Sequence, residues 1–381
     1  MSEEVAIIGV GMLPIQKKMD HLRLEELVFL TAKAALDDAG IVRDDLDNVV
    51  LGASDELDGR SISSMLMATP AGALLKDEIK VTDSGLHALH LGYMRVASGL
   101  HNVTLVISWS KGSESSFENV MNMRWDPFIH RGMGLNHSTT TGLMASSYLT
   151  KYNVSPEIPA KVIVKNRMNG CLNSKAELHE EVTLEDVLSS ESIAHPLKQL
   201  ELAPISDGAV ALVLASPEFI KDRELKNKPI WIKGIGWATD SYYLGQRDLS
   251  YSESLEIAAK QAYKMAGINN LHEIDVFEIE DQSAYHELIA YEALGLCEKG
   301  MAYELIEKGR TERNGDFPVN PSGGATCANP YFCAGLVRVA EAYLQVSNRA
   351  DGHQILKAKT ALAQGTNGFA NQGNSVVILS Q

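Results

Sequence analysis

Basic residues are in short supply in this chain of 381 residues, which has 34 lysines and arginines against 49 aspartates and glutamates. The formal net charge is −15 at pH 7. Binding to nucleic acid or to an anionic membrane requires basic patches that neutralise phosphate, so the composition argues against both as partners. Long apolar runs are absent too: no window approaches the roughly 18 apolar residues of a membrane span. The N-terminal MSEEVAIIGVG lacks the basic and apolar segments of a secretion signal, so we expect a cytoplasmic protein.

Cysteine is also scarce. The four cysteines are Cys171, Cys297, Cys327 and Cys333, and no Cys-x-x-Cys pair or histidine-rich cluster has the spacing of a zinc site. We therefore predict reduced thiols and no metal. For Cys327 and Cys333, six residues apart, we favour the role of small buried hydrophobic residues, because free cysteine is among the most buried residue types.

An internal repeat organises the chain. VAIIGVG (5–11) and IWIKGIG (230–236) each predict a buried strand, which an amphipathic helix and a second strand follow. Within the two helices, six of ten positions are identical between 32–41 and 259–268. The repeated strand–helix order predicts two α/β halves, each a mostly parallel sheet covered by helices. The repeated Gly-x-Gly belongs to this fold and is not a dinucleotide motif, because the third glycine is missing.

The domain boundary is predicted in the charged, apolar-poor link 217–229. This gives an N-terminal domain over 1–222 and a C-terminal domain over 223–381. The segment from about 110 to 153, rich in Met, Asn, His and Thr, interrupts the α/β alternation. We interpret it as an inserted loop subdomain of functional importance, in which His130 and His137 are candidates for lining a substrate tunnel.

Three stretches resemble the thiolase superfamily, and within it the archaeal and sterol-carrier-type members. They are LELAPISDGAVALVLAS (200–216), IEDQSAYHELIAYEALGL (279–296) and VNPSGGATCANPYFCAG (319–335). The resemblance implies a five-layered αβαβα sandwich of two duplicated halves, a coenzyme A thioester as substrate, and no covalently bound cofactor. It also implies a homodimer, or a heterodimer with a thiolase-like paralogue, and a zinc-ribbon/OB-fold partner protein.

The residues that carry thiolase chemistry are replaced in this chain. Matched by motif, the nucleophilic cysteine becomes Thr82 and the activating histidine of Gly-His-Pro becomes Asn329. The histidine of the His-Asp motif becomes Glu280, and the turn 364–368 contains no acid/base cysteine. A threonine hydroxyl without an adjacent imidazole is a poor nucleophile. We therefore expect neither an acyl-enzyme at Thr82 nor ordinary thiolysis.

Glu280 is the leading candidate for a catalytic group. A carboxylate in a pocket with apolar walls has its pKa raised towards neutrality and can act as a general base. The alternative is a solvated or ion-paired glutamate. Tyr331 and Tyr285 flank the replaced motifs, and similar aldolases of steroid side-chain degradation use tyrosines for acid/base work. For either tyrosine, packing in the core or the pocket wall is the favoured interpretation.

Two further groups of residues have open interpretations. Ser322, Gly323 and Gly324 could contact the coenzyme A thioester, and a tight turn explains the glycines equally well. His87 and His90 are three apart and share a helix face; without a matching carboxylate or cysteine, a solvated face is favoured over a site.

Two functions of different classes are compatible with the sequence. The first is an enzyme that makes or breaks a carbon–carbon bond in an acyl-CoA, within a hetero-oligomeric complex. Its route would be aldolase-like or a Claisen reaction independent of cysteine, with Glu280, Asn329 and Tyr331 supplying proton transfers and hydrogen bonds. The second is a catalytically inactive thiolase-like subunit that supports an active partner.

Overall fold

The computed structural model describes residues 4–221 and 223–381 and has a large mixed β-sheet flanked by helices. The strands are β1 (Ala6–Met12), β2 (Asn48–Ala53), β3 (Asp77–Thr82), β4 (Val103–Lys111), β5 (Ser192–Ala194), β6 (Leu197–Lys198), β7 (Asp207–Ala215), β8 (Ile230–Thr239), β9 (Val276–Glu278), β10 (Thr360–Asn367) and β11 (Gly373–Ser380). The α-helices are α1 (Leu24–Ala39), α2 (Ser64–Met67), α3 (Gly85–Ala97), α4 (Phe117–Met123), α5 (His137–Tyr152), α6 (Glu157–Gly170), α7 (Leu184–Ser189), α8 (Pro217–Lys221), α9 (Glu253–Ala266), α10 (Ala284–Ala293), α11 (Ala302–Glu307) and α12 (Ala334–Val346). Short 3-10 turns cover Arg43–Asp45, Gly112–Glu114, Arg131–Met133, Gln199–Glu201, Leu244–Gln246, Leu271–Glu273, Tyr331–Cys333 and Asp351–His353.

The strand order shows how the two repeats are joined. The nine strands lie in the order β3-β2-β4-β7-β1-β8-β11-β10-β9, while β5 and β6 form a separate pair. At the centre, the first strands of the two repeats pair antiparallel, Ala6 with Trp231 and Ile7 with Ile230. We call this pairing the seam. Outward from the seam, β7 and β11, β4 and β10, and β2 and β9 hold equivalent places, so the repeats are related by an approximate twofold axis.

The prediction of mostly parallel sheets is wrong, because five of the eight strand pairs in the nine-stranded sheet are antiparallel, and four of those five involve β7 or β11. β7 pairs antiparallel with both β1 and β4, and β11 pairs antiparallel with both β8 and β10. Each is the last strand of its half and inserts between that half's first strand and another. The remaining pairs of β2 with β3, β2 with β4, and β9 with β10 are parallel, as the strand–helix alternation predicts.

The repeated glycines are explained by close packing of a helix on a strand. A Cβ at Gly9 of β1 would lie 2.6 Å from the Ala39 Cβ of α1, and one at Gly236 of β8 would lie 2.8 Å from the Gln261 Cβ of α9. Neither separation is possible without displacing the helix. The structure therefore confirms that the two Gly-x-Gly pairs belong to the fold.

The helices complete five layers. α1 covers the outer face of the first half, and α9 covers the outer face of the second. Between the two halves lie α3 and α12, whose Leu86 and Leu336 belong to one buried core with residues of both halves of the sheet. The predicted αβαβα sandwich is thus confirmed. The first turns of α3 and α12 touch, since a Cβ at Gly85 would lie 2.8 Å from the Leu336 Cβ.

The chain between β4 and β7 carries four α-helices. It contains α4, α5, α6 and α7, and the first two of these fall within the segment predicted to be an inserted subdomain. In the part of the chain that the structure describes, no helix has the length and apolar character needed to cross a membrane.

Candidate active site

A pocket lies beside the end of β10 and the first turns of α5 and α10. Segments on both sides of the link 217–229 contribute to it. Its lining residues are Asp83, Arg124, His137, Thr141, Glu280, Gln282, His286, Tyr331, Phe332, Thr366, Asn367, Gly368, Ala370 and Asn371. Two of the four residues predicted to be catalytic, Glu280 and Tyr331, are therefore brought together here.

Glu280 follows β9 and is 5% exposed. Its Oε1 accepts a hydrogen bond of 2.7 Å from Gln282 Nε2, and its Oε2 accepts one of 3.0 Å from the backbone N–H of Thr366. Burial raises the pKa of Glu280 to about 7, although both hydrogen bonds act to lower it. A carboxyl group with this pKa is present in both protonation states at neutral pH, which suits it to accept and to donate a proton.

Asn329 reaches the pocket through Gln282. The two side-chain amides exchange hydrogen bonds, with Asn329 Nδ2 donating to Gln282 Oε1 at 2.9 Å and Gln282 Nε2 donating to Asn329 Oδ1 at 3.2 Å. The Asn329 N–H donates to Ser206 Oγ at 3.0 Å, and the Ser206 N–H donates to the Asn329 carbonyl oxygen at 3.0 Å; both bonds fix Asn329, which is fully buried. Gln282 therefore links Asn329 to Glu280. Sequence reasoning gave Gln282 no role, although it lies only two residues after Glu280 in the same motif.

Tyr331 directly follows the replaced Gly-His-Pro motif and forms part of the pocket wall. Its ring packs edge-on against Phe117, with centroids 4.9 Å apart, and its hydroxyl lies 3.4 Å from His137 Nδ1. Burial raises the pKa of Tyr331 further above its ordinary value, so the phenol remains protonated at neutral pH. In this structure Tyr331 is placed to donate a hydrogen bond, in addition to its packing role.

Two histidines complete the pocket. His137, the first residue of α5, is the tunnel candidate of the sequence, whereas His130 contacts Trp125 and Tyr242 and is not among the lining residues. His286, in the first turn of α10, was not predicted. Burial lowers the pKa of His137 to about 4 and that of His286 to about 3, so both imidazoles are neutral at pH 7.

The loop that should hold the nucleophile presents a different residue to the pocket. Thr82 ends β3 and is exposed, while the next residue, Asp83, lines the pocket. Asp83 has a left-handed backbone with φ of 73°. Its carboxylate pairs with Arg124, whose guanidinium lies 4.7 Å from the centre of the Phe332 ring. An ion pair at Asp83, and not the Thr82 hydroxyl, therefore faces the pocket.

The predicted thioester contacts lie behind the pocket. Ser322 Oγ donates to Glu278 Oε2 at 2.6 Å, which makes it a partner of a buried carboxylate. Gly323 and Gly324 have φ of 95° and 70°, and a Cβ at Gly324 would lie 2.6 Å from Asp281 Oδ2. A tight turn therefore accounts for both glycines. None of the three is among the pocket-lining residues, so their contact with a thioester stays a prediction.

Three other residues considered from the sequence lie elsewhere in the structure. Tyr285 is buried in the core of the second half. His90 is 2% exposed and packs 4.9 Å from the Trp237 ring, so the solvated helix face predicted for His87 and His90 is wrong for His90. His87 is partly buried, with its Nε2 3.2 Å from Ser375 Oγ.

No cysteine is among the residues that line the described pocket. Cys327 and Cys333 are buried, as predicted, and burial raises the pKa of each thiol to about 12. A thiol with this pKa is not ionised at neutral pH and is a weak nucleophile. Across residues 4–221 and 223–381, no group of three or more His, Cys, Asp or Glu side chains is arranged to hold a metal ion.

Comparison with known proteins agrees with this architecture over almost the whole chain. Residues 5–218 match the thiolase N-terminal domain, and residues 236–381 match the family described as thiolase C-terminal domain-like. An acetyl-CoA acetyltransferase of Methanothermobacter thermautotrophicus is 30% identical, over 96% of this chain and 98% of that protein. The benzoylsuccinyl-CoA thiolase subunit BbsB of Thauera aromatica is 28% identical over 71% of this chain and 70% of its own length.

Solved structures show the same fold. The Ltp2–ChsH2(DUF35) aldolase superposes with a TM-score of 0.84 at 24% identity, covering 100% of this chain and 98% of that one. The human mitochondrial 3-ketoacyl-CoA thiolase superposes with a TM-score of 0.75 at 16% identity, covering 100% and 99%. With both family domains matched in order and a relative at 30% identity along its full length, the chain belongs to the thiolase family.

Proposed function

We propose that this protein makes or breaks a carbon–carbon bond in a coenzyme A thioester without forming an acyl-cysteine. The observation that carries the proposal is Glu280, a buried carboxyl group with a pKa of about 7 in a pocket that no cysteine lines. A proton donor and acceptor of this kind is sufficient for an aldol-type reaction, which needs proton transfer and enolate stabilisation but no covalent nucleophile.

The relatives support the class of substrate. One is named as an acetyl-CoA acetyltransferase and another as a subunit of a benzoylsuccinyl-CoA thiolase. The Ltp2–ChsH2(DUF35) aldolase supports an aldol-type reaction within a complex. On this basis we propose that the protein works within a hetero-oligomeric complex. In this complex it forms a homodimer, or a heterodimer with a thiolase-like paralogue, and the dimer binds a zinc-ribbon/OB-fold protein.

The reaction on a β-hydroxyacyl-CoA balances with Glu280 alone as the proton carrier. The ionised carboxylate accepts the proton of the β-hydroxyl group, and the bond between Cα and Cβ breaks. The electron pair of that bond enters the thioester enolate, while Cβ becomes a carbonyl carbon. Protonated Glu280 then returns the proton to Cα, which releases a carbonyl compound and a shorter acyl-CoA. The reverse sequence forms the bond. Gln282 and the Thr366 N–H stabilise the ionised carboxylate between these steps.

Substituting Glu280 by glutamine tests the proposal. The variant keeps the size of the side chain but removes its proton transfer, so we expect turnover of an acyl-CoA by the purified complex to fall by about 10²- to 10⁴-fold. Glu201→Gln is the matched control, because Glu201 is also buried with a pKa of about 7 but does not line the pocket. The control should keep its rate within a few-fold. Full activity in Glu280→Gln would refute the assignment.

A catalytically inactive subunit is the second candidate, and the Asp83–Arg124 ion pair favours it. That pair lines the pocket at the loop where the family's nucleophile is expected. An inactive subunit should bind acyl-CoA in calorimetry without turning it over when alone, and turnover should appear only with a paralogue that carries an intact Cys-x-Ser-Gly motif. Turnover by this chain with only a zinc-ribbon partner would exclude this candidate.

A further inference from the structure

Two neutral imidazoles share the pocket with Glu280 and have no role in the proton transfers described above. His137 and His286 are 6% and 5% exposed. Each lies in the first turn of a helix of at least ten residues, α5 and α10. Backbone N–H groups and the helix dipole make the end of such a helix favourable for developing negative charge. The Nε2 atom of His137 is buried and has no hydrogen-bond partner in the structure.

The neighbours of the two rings favour one position for the proton of each imidazole. Ser283 Oγ lies 2.8 Å from His286 Nδ1, and the Ser283 side chain makes no capping hydrogen bond to α10, so its hydroxyl is free to donate to the ring. The Tyr331 hydroxyl lies 3.4 Å from His137 Nδ1 and can donate to it in the same way. A neutral imidazole has one N–H, and when Nδ1 accepts a hydrogen bond the proton lies on Nε2.

We infer that the Nε2–H groups of His286 and His137 form the site that binds the thioester carbonyl oxygen and stabilises the enolate formed from it. This inference rests on the proposed function. The positive charge in the pocket cannot replace these donors, because Arg124 is paired with Asp83. Among the described residues, the partners recorded for the two rings are hydroxyl groups, of Ser283 for His286 and of Tyr331 for His137, so no carboxylate hydrogen bond holds either ring.

Neutral donors suit this role better than charged ones. Because burial lowers the pKa of His137 to about 4 and that of His286 to about 3, an imidazolium would not form at neutral pH. A neutral imidazole polarises a carbonyl group by hydrogen bonding without transferring its proton to the oxygen. The enolate oxygen therefore stays unprotonated, and Glu280 delivers the proton taken from the β-hydroxyl group to Cα.

Isotope-edited infrared spectroscopy of acetyl-CoA, labelled with ¹³C at the thioester carbonyl and bound to the full-length protein, tests the inference without turnover. In the wild type, the carbonyl band should lie at lower frequency than in free acetyl-CoA, because two donors polarise the bond. His286→Leu and His137→Leu should each lose about half of this shift. His286→Gln, which returns an N–H near the Nε2 position, should restore most of it.

The possible outcomes separate the inference from the proposed function. A band that shifts equally in the wild type and in both leucine variants overturns the histidine site and leaves the reaction at Glu280 untouched. If acetyl-CoA binds to none of the forms, the thioester function fails and the inference fails with it. With a turnover assay in hand, each leucine variant should lose about 10²- to 10³-fold in kcat with little change in KM.

A measurement on the wild type covers the case in which a leucine variant does not fold. Nitrogen NMR of the histidine-labelled protein identifies the tautomer of each ring directly. A proton on Nε2 of both His137 and His286 supports the inference. A proton on Nδ1 of either ring removes its donor from the pocket and overturns the site as described.

Discussion

Replacing Glu280 with glutamine should remove a pH dependence from the free energy of unfolding. The folded protein holds the Glu280 proton with a pKa of about 7, raised by burial from an ordinary 4.5. Between these two values, the unfolded chain releases the proton while the folded chain keeps it. The stability that this group contributes is therefore full below about pH 4.5 and is lost as the pH rises to about 7. At about 1.4 kcal/mol per pH unit, the total loss is about 3 kcal/mol.

Urea unfolding of the wild type and of Glu280→Gln across this range checks the prediction. The difference in unfolding free energy should move in favour of the variant by about 3 kcal/mol as the pH rises, because the amide does not ionise. The variant should also lose some unfolding free energy at every pH, since its new NH₂ group faces one of the two donors that bind the carboxylate in the wild type.

Glu201→Gln again serves as the control. Its carboxyl group is also buried with a pKa of about 7, so it should show a pH-dependent gain of similar size without loss of turnover. A difference between wild type and Glu280→Gln that stays the same at every pH would show that Glu280 has an ordinary pKa. The argument for its role as a proton carrier would then fall.

Three further predictions concern residues around the site. In Gln282→Leu, the loss of a hydrogen bond to the carboxylate should raise the pKa of Glu280, so the midpoint of the pH–rate profile should move to higher pH. Gly324→Ala should lower the free energy of unfolding by at least about 2 kcal/mol, because φ is 70° and a buried carboxylate blocks the new methyl group. Its control is Gly132→Ala, where nothing lies within 4 Å of the new methyl group; the free energy of unfolding should hardly change in the same urea titration. Lys165→Met should cost about 3–5 kcal/mol in urea unfolding, because it leaves a buried glutamate without its ion-pair partner 2.5 Å away.

The fold was largely predictable because the same strand–helix–strand pattern occurs twice in the sequence. The repeated glycines of β1 and β8 and the matched helices α1 and α9 are local patterns, and local packing explains them. The seam was not predictable, since Ala6 and Ile7 read as ordinary buried strand residues and their partners lie more than two hundred positions away. The direction of β7 and β11 likewise depends on where they insert in the sheet, which strand–helix alternation does not encode.

Site residues were predictable where a sequence motif fixes their position in the fold. They were not predictable where the direction of the side chain decides whether a residue lines the pocket. Glu280 and Tyr331 line the pocket because they stand at positions that the fold brings together. Thr82 was predicted from its place in a motif, but Asp83, with its left-handed backbone, is the residue of this loop whose side chain lines the pocket. His286 was missed because it stands in an apolar helix, where no local signal separates a pocket residue from a core residue.

The seam has a consequence for ligand binding. Asp83, Arg124 and His137 precede the link 217–229, whereas Glu280 and His286 follow it, so a molecule in the pocket touches both parts of the chain. Such a ligand binds only when the parts are joined, and its binding energy is then added to that of the pairing between β1 and β8. Thermodynamic linkage makes the effect reciprocal: the factor by which the ligand favours the joined state equals the factor by which joining the two parts raises the affinity for the ligand. A substitution in the seam should therefore weaken ligand binding once it leaves an appreciable fraction of the molecules with the two repeats separated.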